Sequence, residues 1–106
     1  MVTPDQIQDI TNVIVQMVNP KKIYLIGSYA QNKASTNSDI DFLIIANDKT
    51  LSKYERTGAI QKKLFHYPLF SIDLVMFSEE EIESKSQYEL SFIGQALKKG
   101  KLLYES

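Results

Sequence analysis

The sequence predicts a small α/β (α+β) domain, with a central mixed β-sheet and helices covering it. Three observations lead there. Short apolar runs at 23–26, 39–46 and 70–77, rich in β-branched and aromatic residues, read as strands. Segments with apolar residues at helical spacing alternate with them. A chain of 106 residues, 43% of them hydrophobic, is long enough for one core and too short for two. Residues 1–106 are therefore read as a single domain, with interleaved strands and helices in a two-layer arrangement.

Each element has its own local reason. Thr3-Pro4-Asp5-Gln6 reads as a helix start: Thr3 caps, Pro4 fits the first helical position and Gln6 closes a capping box. Ile7, Ile10, Ile14, Met17 and Val18 then recur at helical spacing, and Asn19-Pro20 stops the helix. Residues 23–26 read as a strand buried on both faces, ended by Gly27-Ser28. The small, polar residues 28–38 suit a short helix or turn and a loop. The second strand covers 39–46, followed by a turn at 47–50. Leu51, Tyr54, Ile60 and Leu64 mark an amphipathic helix to about Phe65, although Gly58 weakens its middle. Tyr67-Pro68 breaks it. After the third strand, Ser78-Glu79-Glu80-Glu81 is another capping box. A helix over 87–98 carries Leu90, Ile93 and Leu97 on one face and ends at Gly100. Residues 101–104 form a last, edge strand.

Composition narrows the chemistry. The net charge of −1 and a pI near 5.8 argue against a general nucleic-acid binder. With no cysteine and His66 as the only histidine, any bound metal must be held by carboxylates, which points to Mg²⁺, Mn²⁺ or Ca²⁺. No apolar stretch approaches the roughly 20 residues of a membrane helix. The first residues lack the pattern of a signal peptide, so the expected location is the cytoplasm.

Asp39 and Asp41 in Ser38-Asp39-Ile40-Asp41-Phe42-Leu43 are the most informative residues. Strand side chains alternate, so two carboxylates are expected on one sheet face. At about 4 Å they would repel by roughly 4 kcal/mol at an effective dielectric of about 20, which a divalent cation offsets. The bland alternative is a solvated strand end paired with lysines. Gly27-Ser28 after a strand suits phosphate binding through close backbone approach, or simply a tight turn with a helix cap. Asp73 interrupts an apolar run, and a carboxylate placed there needs a metal, a cationic partner or a loop to cap.

Gly27-Ser28-Tyr29-Ala30, then Ser38-Asp39-Ile40-Asp41-Phe42-Leu43, then a lone Asp73 in a later strand, resembles the nucleotidyltransferase superfamily that includes DNA polymerase β. The short length resembles its minimal nucleotidyltransferases, the MNT antitoxins paired with HEPN-domain toxins. The resemblance covers the chain from Ile23 through the third strand. It implies that Gly27 and Ser28 hold the phosphates of an NTP, with Ser38 in the nucleotide site as a loop-shaping residue or strand cap. It implies a two-metal Mg²⁺ site on Asp39, Asp41 and Asp73, with Asp73 also helping to deprotonate the attacking hydroxyl.

The implied function is transfer of NMP, AMP from ATP, to a hydroxyl of a HEPN toxin. Larger relatives carry a second domain for the acceptor, and the segments here are spent on one sheet and its helices. The alternatives are an antitoxin acting by binding alone and a small-molecule nucleotidyltransferase. Departures from the family pattern are Asn32 in place of glycine, and Tyr29 and Gln31 in place of basic residues. Tyr24, Tyr29 and Tyr54 are candidates for stacking on the base. Lys33 reads as a solvated lysine, His66 as structural, and Glu79-Glu80-Glu81 as a helix start.

Overall fold

The computed structural model describes residues 2–35, 38–47, 51–65, 71–86 and 91–106. The chain runs α1 (Pro4–Val18), β1 (Lys22–Ile26), α2 (Gly27–Ala30), β2 (Ile40–Ile45), α3 (Lys53–Lys63), β3 (Ile72–Phe77), α4 (Glu79–Ser86), α5 (Phe92–Lys99) and β4 (Lys101–Glu105). The strands form one mixed sheet in the order β3-β2-β1-β4. β1 pairs antiparallel with β2 and β4, whereas β2 and β3 run parallel. Parallel neighbours need a crossover, and α3 supplies it. The turn expected at 48–50, His66, the Tyr67-Pro68 break, Phe70 and Leu90 lie outside the described residues.

Helix starts follow the sequence closely. Thr3 Oγ1 accepts from the Gln6 N–H while the Gln6 side chain accepts from the Thr3 N–H, as the capping box requires. Ser78 and Glu81 make the same reciprocal pair. A third box, Ser52 with Glu55, starts α3 at Lys53 rather than at Leu51. That sets the phase of α3: Arg56, Ile60 and Leu64 turn inward, while Tyr54 is 87% exposed and Leu51 also faces solvent. The expected core stripe through Leu51 and Tyr54 is thus corrected, and so is Met17, which is 40% exposed. Asn19, with φ of 47°, closes α1 ahead of Pro20.

Residue parity divides the core. Ile40, Phe42 and Ile44 of β2 join Ile23, Leu25, Ile72 and Met76 in one cluster with Ile10, Ile14, Ile60 and Leu64. Leu43 and Ile45 join Ile26, Tyr24, Val75 and Phe77 in another, with Ile82, Ala96 and Leu97. α1 and α3 therefore cover one face, and α4 and α5 the other. Helices on both faces make three layers where the sequence suggested two. It also explains why β2 is apolar without a break from Phe42 to Ile45: that stretch is buried on both faces. Among the described residues no helix is long and apolar enough to cross a membrane.

Candidate active site

The parallel register sets Asp41 beside Asp73. Neighbouring strands lie about 4.8 Å apart, so two such side chains stand next to each other. Both have odd numbers, and odd positions of β2 and β3 face α5, as Leu43 and Val75 do. On the other side of β2, Asp41 is the partner of Ile26, the last residue of β1. The next residue, Gly27, has φ of +73°, in the left-handed region. A Cβ there would lie 2.4 Å from Asp41 Oδ2. Backbone conformation and close approach both demand glycine at this one position.

Ser28 follows in the single turn of α2. Its carbonyl accepts from the N–H groups of Gln31 at 3.2 Å and Lys33 at 2.9 Å. Asn32, with φ of 57°, lets the chain turn away in a left-handed conformation that asparagine tolerates.

Gly27, Asp41 and Asp73 line one cleft of about 710 Å³, with α5 as its opposite wall. Burial first, then the hydrogen bond and charge of Asp73, then the charge of Asp39, push the Asp41 carboxyl up from 3.8 to about 6. A carboxyl so close to a second one holds its negative charge less well than a carboxyl in open water. Asp39 stands differently. It precedes the first residue of β2 and, although exposed like Asp73, is not among the cleft-lining residues. Among the described residues no three acidic or imidazole side chains converge on one point. The arrangement is a close pair, Asp41 and Asp73, with Asp39 outside it.

The remaining sequence candidates fall away from the cleft. Ser38 Oγ accepts from the Ser35 N–H at 2.8 Å, so its visible contacts close the loop before β2. The Tyr29 hydroxyl accepts from the Val2 N–H at 3.1 Å. Neither Tyr29, Tyr24 nor Tyr54 lines the cleft, which corrects their candidacy as base platforms. Lys33 is exposed, as expected. The Glu79–Glu81 run does begin a helix, and hydrogen bonds from Lys53 and then the Ser78 N–H hold the Glu81 carboxyl down at about 2. The sequence pattern did not reveal the role of α5. Phe92, Gln95, Ala96 and Lys99 all line the cleft. Their spacing of three, four and seven was the available signal, obscured by the stronger Ile93 and Leu97 face.

Comparison with known proteins bears on the family and the fold. No curated protein matches the chain. A chain of a toxin–antitoxin complex crystallised with AMP-PNP is 25% identical, with a TM-score of 0.57 over 93% of this chain and 73% of that one. A chain of an MntA–HpeT toxin–antitoxin variant is also 25% identical, with a TM-score of 0.60 over 100% of this chain and 75% of that one. A complex of a tri-AMPylated Shewanella oneidensis HEPN toxin with its MNT antitoxin shares the fold at 23% identity and a TM-score of 0.52, over 93% of this chain and 72% of that one. The family model for polymerase beta nucleotidyltransferases matches residues 8–106, which include the Gly27 turn, both carboxyl strands and α5. The chain therefore belongs to the polymerase beta nucleotidyltransferase family.

Proposed function

We propose that this chain is a Mg²⁺-dependent nucleotidyltransferase that moves AMP from ATP onto a hydroxyl of a protein partner, a HEPN-type toxin. The observation that carries the reading is the Asp41–Asp73 carboxyl pair set against the Gly27 turn in a cleft of nucleotide size. A divalent cation fits these residues. Beyond burial, the Asp73 and Asp39 charges raise the Asp41 carboxyl, so the place is short of positive charge; the donors are all oxygen, and the missing Cβ of Gly27 keeps space open beside Asp41. Asp41 and Asp73 would hold the ion, with Asp39 approaching from outside the cleft. When bound, it would neutralise charge on the triphosphate and on the attacking oxygen.

The chain's own residues supply the rest. The backbone at Gly27 and Ser28 brings N–H groups close to phosphate oxygens. The acceptor oxygen attacks the α-phosphorus as the bond to pyrophosphate breaks, and Asp73 takes the hydroxyl proton. Positioning and charge compensation account for most of such catalysis. Support for the partner comes from the neighbours: two are toxin–antitoxin complexes, one of them with AMP-PNP, and a third contains an AMPylated HEPN toxin.

The test mixes the protein, Mg²⁺ and α-labelled ATP with the product of the neighbouring reading frame. Label should reach that protein as pyrophosphate is released; label on RNA, or on nothing, would sink the proposal. A second reading, neutralisation by binding alone, draws on Tyr29, whose hydroxyl is engaged with Val2 where relatives have a basic residue. Under that reading the Asp39→Asn/Asp41→Asn double variant still neutralises the partner fully without nucleotide.

A further inference from the structure

Two carboxylates and a triphosphate are a poor electrostatic match, and Lys33, in the turn after β1, does not line the cleft. The relief comes from the far end of the chain. Among the described residues that line the cleft, Lys99 is the only basic one. Its place is fixed from both sides. Gly100 donates its N–H to the Ala96 carbonyl at 2.7 Å, and Lys101 is the register partner of Leu25. A Cβ on Gly100 would lie 2.4 Å from the Ala96 carbonyl oxygen and 3.2 Å from that of Leu25. The end of α5 is thus pressed against the end of β1, next to Gly27.

At the other end of the helix is Phe92, 58% exposed yet lining the same cleft. Seven residues separate it from Lys99, so the two share a helix face about 10 Å apart. A cation therefore stands at the phosphate end of the cleft and an open aromatic ring at the other.

We infer that α5 is the nucleotide-facing wall of the site, with Lys99 pairing with the polyphosphate and Phe92 carrying the base. This rests on the nucleotidyltransferase reading and adds two residues to it. A lysine on phosphate works through charge, and an aromatic ring stacks on any base face. The two contributions can therefore be separated by the probe used.

The experiment is competition against a fluorescent ATP analogue with three probes: Mg²⁺·ATP, Mg²⁺·tripolyphosphate and adenosine. Lys99→Gln should weaken ATP and tripolyphosphate about tenfold and leave adenosine within about twofold. Phe92→Ala should weaken ATP and adenosine about tenfold and leave tripolyphosphate within about twofold. Lys99→Arg should recover most of the loss. Equal losses on all three probes would mean a merely structural role and overturn the inference for that residue; so would no loss at all. Wild-type protein that binds ATP in an Asp41-dependent way, with both α5 variants unchanged, overturns this inference alone. Wild-type protein that binds no Mg²⁺·ATP overturns the nucleotidyltransferase reading and this inference together.

Discussion

Replacing Asp41 by asparagine should make the metal-free protein more stable at pH 8 while destroying its function. The Asp41 carboxyl is pushed up from 3.8 to about 6 by burial, by Asp73 and by Asp39. The sign follows from which state prefers the proton. Above pH 6 the group is ionised in both folded and unfolded chains, so the folded state bears the whole penalty. As pH falls from about 6 towards 3.8 the folded state takes up a proton first and the penalty fades. Fully shielded, a shift of this size would correspond to roughly 3 kcal/mol. Asp41 keeps part of its surface in water, so screening reduces the expectation to about 1 kcal/mol. For a domain of this size that is a rise in Tm of about 4–8 °C. The assay is thermal unfolding in EDTA at pH 8 and at pH 4.5, wild type against Asp41→Asn. The variant should gain at pH 8 and lose most of that gain at pH 4.5. Millimolar Mg²⁺ should then raise the wild-type Tm and leave the variant unmoved. A variant that melts below wild type at pH 8, or a gain independent of pH, would refute the argument.

Other predictions concern single positions. Gly27→Ala combines a left-handed backbone with a contact on Asp41 Oδ2, so it should lose about 1–2 kcal/mol of stability and nearly all label transfer. Gly58→Ala goes the other way: a Cβ there meets nothing within 4 Å, so denaturant melts should show a gain of about 0.5–1 kcal/mol with activity intact. Phe42→Ala empties the largest fully buried site and should lose about 3–5 kcal/mol in the same melts. Glu81→Gln should lose about 0.5 kcal/mol at pH 7, because the ion pair with Lys53 is partly exposed. Since the Glu81 carboxyl is held down at about 2, that difference should persist above pH 4.5 and shrink as pH falls towards 2.

How far the sequence spoke depended on how local each signal was. Thr3, Pro4 and Gln6 specify a helix start by contacts within one turn, and the structure has that start. Asn32, noted as a departure from the family pattern, takes a left-handed conformation that asparagine tolerates. Strand order is another matter, because pairing depends on partners far along the chain; the apolar run of β1 implied two covered faces without saying by what. Asp39 shows the limit of a good rule. Alternation holds only inside the pleat, and β2 begins at Ile40, so Asp39 shares a face with Asp41 in sequence but stands exposed in the fold. Tyr54 failed through phase: counting from Leu51 placed it in the core, whereas counting from the Ser52 cap turns it outward. Lys99 and Phe92 were hidden because Ile93 and Leu97 dominate the apolar pattern of their helix. A single lysine and a single phenylalanine beside that stripe carry no periodic signal of their own, and only the tertiary fold brings them to the carboxyl pair.

The apolar pattern of the sheet also protects the chemistry. Register in a strand flanked by two packed faces is strongly specified, because a one-residue slip exchanges the faces. A slip of β3 against β2 would swing Asp73 off the α5 side and into the cluster of Ile10, Ile14, Ile60 and Leu64. It would also bring Ile72 and Met76 out of that cluster. Burying an unpaired carboxylate costs several kcal/mol, and displacing two large apolar side chains adds more. The pairing of Asp41 with Asp73 is therefore enforced by residues that never touch a nucleotide. The same holds at the other wall, where the ladder between Leu25 and Lys101 sets the end of α5 against the end of β1. Four segments far apart in sequence meet at one cleft because the core permits one register on each side of β1 and β2. Core substitutions that loosen either ladder should thus depress transfer before they unfold the domain.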